Sequence, residues 1–152
     1  MKWALFIAGG IALLIVLVVV GGSLLPKGHR ASRRAVFRRT PEEVFAAITG
    51  PPDWRSDDLV NDERVRIDVV ESKSPLRLVT RIAGDNLAYG GTWTQELSKR
   101  DIGTELRVTE EGEIYNPLFR FMARYVFGYT SSMETYLRDL GKKFGETTTP
   151  EA

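Results

Sequence analysis

The chain opens on an unbroken apolar run: residues 3–25 hold 23 residues without a charge, interrupted only by Gly9, Gly10, Gly21, Gly22 and Ser23. A helix of that length covers about 34 Å at 1.5 Å per residue, enough to cross a hydrocarbon core of about 30 Å while satisfying its own backbone. The run is longer than the core of a cleaved secretory signal. No small-x-small cleavage site precedes the polar sequence, and a basic block follows at once. Residues 1–25 therefore read as a transmembrane anchor.

After a connector at residues 26–31 the period changes to two. Residues 32–39 place Ala35 and Phe37 on one face and Arg34, Val36 and Arg38 on the other, which predicts a first strand. Thr40-Pro41-Glu42-Glu43 then combines a cap, a proline suited to the first helical position and a capping-box glutamate. The helix it predicts runs through Val44, Phe45, Ala47 and Ile48 and is halted by Gly50-Pro51-Pro52. Asp53-Trp54-Arg55 follows as a short second helical turn. Alternation predicts further strands over about residues 64–71, 76–82, 90–98 and 104–114, with residues 57–62 available for a short extra stub.

Asn116 and Pro117 open a last helix. Its stripe of Leu118, Met122, Tyr125, Tyr129, Met133, Tyr136, Leu140 and Phe144 recurs at spacings of three or four, predicting one helix of about seven turns. Gly128 within it admits a bend or close packing at about 1 kcal/mol of helix propensity. The domain spans residues 32–145, and the tail at residues 146–152 is expected to fray.

Charge sharpens the division. Residues 1–40 carry 7 basic side chains and no acid, whereas residues 41–152 carry 14 basic and 20 acidic ones, a net of −6. The acidic balance of residues 41–152 argues against a nucleic-acid platform. Lys27, Arg30, Arg33, Arg34, Arg38 and Arg39 form the basic flank of the anchor. Basic flanks stay inside, so the expected topology is a single pass through the cell membrane with the C-terminal domain cytoplasmic. The same residues read equally as a collar for anionic headgroups or as a topology signal alone.

The chain resembles the SRPBCC superfamily, the START-like and polyketide cyclase/dehydrase-like proteins. The resemblance rests on Thr40-Pro41-Glu42-Glu43-Val44-Phe45, Trp54-Arg55-Ser56-Asp57, residues 75–82, Gly90-Gly91-Thr92-Trp93 and residues 110–121, in that order. It implies an α+β helix-grip fold: an antiparallel sheet wrapped on a long C-terminal helix around an apolar cavity, here with one hairpin fewer than such sheets carry. It implies binding of a hydrophobic small molecule or lipid. Members include carriers and enzymes, so the fold does not fix the activity.

The candidate binding residues are Leu78, Thr80, Trp93, Gln95, Glu110, Met122, Tyr125 and Tyr129. With Leu106, Val108 and Ile114 on the concave face, alternation brings Glu110 and Gly112 there and sends Glu105, Arg107, Thr109, Glu111 and Glu113 to solvent. Glu110 is the one weak candidate for general acid/base chemistry. The plainer reading makes it a hydrogen-bonded structural carboxylate and the tyrosines core residues. A binding module is favoured over an enzyme, with a cyclase/dehydrase-like activity and a non-catalytic protein-interaction module as alternatives; the protein partner of such a module is unknown. No cysteine and one histidine, His29, leave no metal, thiol or Ser-His chemistry, and no cofactor is implied. His29 falls in the connector, with no chemical neighbour in the sequence.

Overall fold

A computed structural model describes residues 2–56 and 63–152. The apolar run forms α1 (Lys2–Leu24), a helix long and apolar enough to cross a membrane. Among residues 2–25 only Val18, Gly21, Gly22 and Leu25 are shielded from solvent. Those positions share one helical face.

Only residues 25–27 separate α1 from β1 (Gly28–Phe37). The strand begins well before residue 32, so the expected connector is largely strand. Two features extend it: the Ile114 amide donates to the Lys27 carbonyl at 2.9 Å, and His29, Ala31 and Arg33 pair along β5 in continuous register. The helix α2 (Pro41–Thr49) forms as its caps predict, with Thr40 accepting from the Glu43 amide and the Glu43 carboxylate accepting from the Thr40 amide. Residues 53–55 make a turn and not a helix, closed by the Arg55 amide on the Pro52 carbonyl. The strand stub considered at residues 57–62 lies outside the described residues.

Four more strands follow: β2 (Arg66–Lys73), β3 (Arg77–Ala83), β4 (Tyr89–Arg100) and β5 (Gly103–Ile114). They join β1 in an open antiparallel sheet of order β1-β5-β4-β3-β2. One face packs on helices. Ala35, Phe37, Leu78, Trp93, Leu97, Leu106 and Val108 meet Val44 and Phe45 of α2 and Met133, Tyr136, Leu137 and Leu140 near the C-terminus. Burying each such side chain contributes roughly 1.5–3 kcal/mol.

The opposite face is charged. Glu105, expected in solvent, is on that outer face but buried under arginines: Arg100 donates to it at 2.9 Å, with Arg34 and Arg107 close by. Arg77 likewise bridges Glu71 and Glu96 across three strands. The tail does not fray. Arg34 and Glu151 exchange backbone hydrogen bonds of 2.9 and 2.8 Å, which satisfies part of the exposed β1 edge.

The C-terminal stripe does not form one helix. It divides into α3 (Pro117–Met122), a π-helical turn over Ala123–Phe127 and α4 (Ser131–Lys143). Gly128 causes the break: its φ of 76° and ψ of 175° suit only glycine, and nothing lies within 4 Å of where a Cβ would sit. Met133, Tyr136 and Leu140 consequently enter the core, while Leu118 and Tyr125 stay exposed. It is α3 that shields α1. A side chain on Gly22 would collide with the Pro117 carbonyl, and the Phe121 ring lies 3.5 Å from the place of a Gly21 Cβ.

Asp139 of α4 is buried and accepts from the Ser56 amide at 3.0 Å, the Ser56 hydroxyl and the Lys142 ammonium at 2.9 Å. Burial pushes its carboxyl up, but the bonds from Ser56 and Lys142 outweigh that and hold it below the usual range. Asp139→Ala should therefore lower unfolding stability by about 2 kcal/mol at neutral pH, measured by denaturant titration of the full chain in detergent. A carboxyl with a depressed folded pKa stabilises above its unfolded value and loses that contribution as pH falls. The gap between wild type and variant should thus close below about pH 4.

Candidate functional site

Two hollows flank Trp93. The first is lined by Leu78, Thr80, Trp93, Gln95, Trp54, Arg55 and Tyr136 and encloses about 70 Å³, far short of the roughly 300 Å³ of a ligand site. It is core. The Tyr136 hydroxyl donates to Gln95 Oε1 at 2.6 Å, and the rings of Trp54 and Trp93 lie 5.1 and 5.4 Å from that of Tyr136. Leu78, Thr80 and Gln95 are thus spent on packing and on each other's neighbours.

The second hollow is a half-open cleft of about 520 Å³. Its back wall is the inner face of the sheet near α1, carrying His29, Trp93, Glu110 and Ile114. Its front wall is the broken helix: Phe119, Met122, Phe127 and Tyr129, with Ser131, Ser132 and Thr135 from the first turns of α4. The Gly128 break produces it. A continuous helix would carry residues 118–129 straight on from α4, whereas the break turns α3 aside and leaves space over the end of the sheet.

The polar centre of the cleft is a pair that alternation alone half-revealed. Glu110 points inward as expected, and His29 Nε2 lies 3.3 Å from its Oε1 with both side chains largely buried. The Tyr129 ring stacks on the imidazole at 4.3 Å and 17°. Gly112 makes the room: a Cβ there would meet the imidazole, with Nε2 at 2.6 Å and Glu110 Oε1 at 2.8 Å. His29 therefore has close neighbours, correcting its placement in an isolated connector. The signal for it was in the sequence, since His29 keeps the odd-numbered phase of Ala31, Arg33 and Ala35.

Of the sequence candidates, the cleft gathers Trp93, Glu110, Met122 and Tyr129. Tyr125 is not among them; it is 63% exposed and packs against Phe121 at 4.8 Å, on the side away from the sheet. Among the described residues no second hydrogen bond reaches the Glu110 carboxylate, so its Oε2 is left as an acceptor. The cleft thus offers an apolar wall and one anionic acceptor braced by an imidazole. Among the described residues no cluster of His, Cys, Asp and Glu could hold a metal ion.

No family model matches the chain, and no curated protein matches it. Solved structures do. A conserved protein from Geobacillus kaustophilus superposes with a TM-score of 0.64 at 13% identity, over 82% of this chain and 100% of that one. A protein from Mesorhizobium loti gives 0.59 at 15% identity over 77% and 97% of the two chains. One from Rhodobacter sphaeroides gives 0.55 at 19% identity over 79% and 99%. Identities this low establish a shared fold alone.

Gly112→Ala should force His29 off Glu110 and cost about 1–3 kcal/mol by overpacking, read by thermal or denaturant unfolding. Because the chain has one histidine, a single imidazole resonance reports the site by NMR. Tyr129→Leu should move that resonance downfield as the stacked ring is lost, and Tyr125→Leu should leave it in place.

Proposed function

We propose that the protein is a single-pass membrane protein whose domain binds a hydrophobic small molecule or lipid in the 520 Å³ cleft. The observation that carries this reading is the pairing of an apolar wall (Phe119, Met122, Phe127, Ile114) with the braced Glu110 carboxylate. A ligand with an apolar body and a hydroxyl or ammonium end would meet both: its body excludes water from the rings, and its donor bonds Glu110 Oε2. The free volume falls within the roughly 300–1,000 Å³ of small-molecule sites. The basic flank of α1 favours a cytoplasmic domain.

The five-stranded antiparallel sheet, the C-terminal helix and the likeness to the solved folds support an SRPBCC, START-like helix-grip reading. Here the grip is modified: the gripping helix is cut at Gly128, so the cavity opens at one end. A cyclase- or dehydrase-like activity is the second reading, favoured by the His29–Glu110 pair. That pair is thin equipment for chemistry, because His29 Nδ1 is buried without a hydrogen-bond partner and out of a substrate's reach.

Native mass spectrometry of the full chain from mild detergent should reveal a co-purifying apolar molecule. Ala123→Phe, which fills the cleft wall, should lose it. Glu110→Gln should weaken its retention by about 10- to 100-fold, the worth of a hydrogen bond to a charged group. An empty wild-type protein, or a ligand retained equally by both variants, would overturn the reading. Turnover abolished by Glu110→Gln with binding intact would instead favour the enzyme.

A further inference from the structure

The segment that forms the front wall of the cleft has a second face, and that face is apolar and uncovered. Leu118, Tyr125 and Val126, which do not line the cleft, are 40–63% exposed, and Phe119 and Phe127, which do, are still 48 and 65% exposed. From residue 114 to residue 133 the chain has no Asp or Glu, although residues 41–152 taken together carry a net of −6. Of the two arginines in α3 and the π turn, Arg120 is buried and donates to the Leu25 carbonyl at 2.9 Å and the Tyr115 carbonyl at 3.1 Å. The other, Arg124, is exposed, and its long stem lets it reach a headgroup from an apolar surface.

The depth of this face is fixed by what it packs on. The shielded positions of α1 are Val18, Gly21, Gly22 and Leu25, and α3 is seated on the glycine pair. Those positions span the last 10 Å or so of the helix at 1.5 Å per residue. Once α1 crosses a bilayer, α3 is held beside its final turns, at the 5–10 Å depth where interfacial amphipathic helices bury their apolar side.

We propose that α3 and its π-helical turn, Pro117–Phe127, are immersed in the membrane leaflet that α1 leaves, with Phe119, Tyr125, Val126 and Phe127 in contact with lipid. Two consequences follow. The domain lies against the membrane in one orientation, and the cleft, whose wall is this same segment, opens onto the acyl-chain region and not onto water. The occupant of the apolar face is the bilayer because α3 packs directly on the last turns of α1, whose other apolar side chains are exposed beside it. The inference rests on the membrane-spanning reading of α1.

The chain has no cysteine, so single nitroxide labels can be placed in the full chain reconstituted in phosphatidylcholine–phosphatidylglycerol vesicles. The positions are Val126→Cys, Leu14→Cys in α1, and Ile102→Cys at the exposed β4–β5 turn. The label at position 126 should collide several-fold more often with oxygen than with a water-soluble nickel chelate, as at position 14, with the reverse at position 102. A nickel-accessible label at position 126 beside an oxygen-accessible one at position 14 would overturn immersion while leaving the anchor standing. A nickel-accessible label at position 14 would overturn both. Shielding from both reagents at position 126, or dipolar broadening between copies, would assign the face to a protein neighbour and equally overturn the proposal.

Discussion

An apolar helix ends in carbonyl groups that have no donors of their own, and α1 carries no basic residue in its last turn to offset the negative end of its dipole. Arg120 supplies that charge from another element, bonding the Leu25 carbonyl just past the end of α1. The guanidinium is buried, has no acidic partner among the described residues, and is held by backbone carbonyls. This contact ties the chain entering β1 to the chain leaving β5, because Arg120 also bonds the Tyr115 carbonyl just ahead of α3. With Gly22 against Pro117 and Lys27 already in the sheet ladder, α1 is fastened to the domain at three places.

The arginines of the first 40 residues change meaning in that light. Read along the sequence they form one basic block; in the fold most belong to β1 and are answered by acids. Arg33 bonds Glu134 of α4, Arg34 meets Glu105 and Glu151, and Arg30 faces Glu111. Such exposed or half-exposed pairs contribute little each, yet they leave less charge for a headgroup collar than a count suggests. Hence, in the membrane-bound arrangement proposed above, apolar contact counts for more than charge in seating the domain.

Much of the fold was legible because local chemistry decides it. The capping box of α2, the alternation of four strands and the inward phase of Glu110 all follow from period and cap residues that need no distant partner. What escaped the reading depends on contacts remote in sequence. His29 became a strand residue because β5, some eighty positions later, pairs with it, and Glu105 is buried by arginines from three strands. The long helix failed for a different reason. Its stripe is continuous in period, but Gly128 takes a backbone conformation that no pattern of apolar residues reports. The segment that carries the first half of the stripe docks on α1 through Pro117 and Phe121, residues outside the stripe, while Met122 and Tyr129 keep facing the sheet across the cleft.

That docking also explains the cleft. In a gripping arrangement the whole C-terminal helix lies along the sheet and closes the space between them. Here Met133, Tyr136, Leu137 and Leu140 close only the half near α2, where the residual hollow is about 70 Å³. The segment that carries the other half is drawn aside by the packing of Pro117 and Phe121 on Gly22 and Gly21, and the space between it and the sheet remains as the 520 Å³ cleft beside His29 and Glu110. The docking of α3 on α1 and the opening of the cleft are therefore one event, with Gly128 as the point where the chain parts between them. A side chain larger than glycine at position 22 would push α3 off α1 and, because α3 carries the front wall, would change the cleft with it.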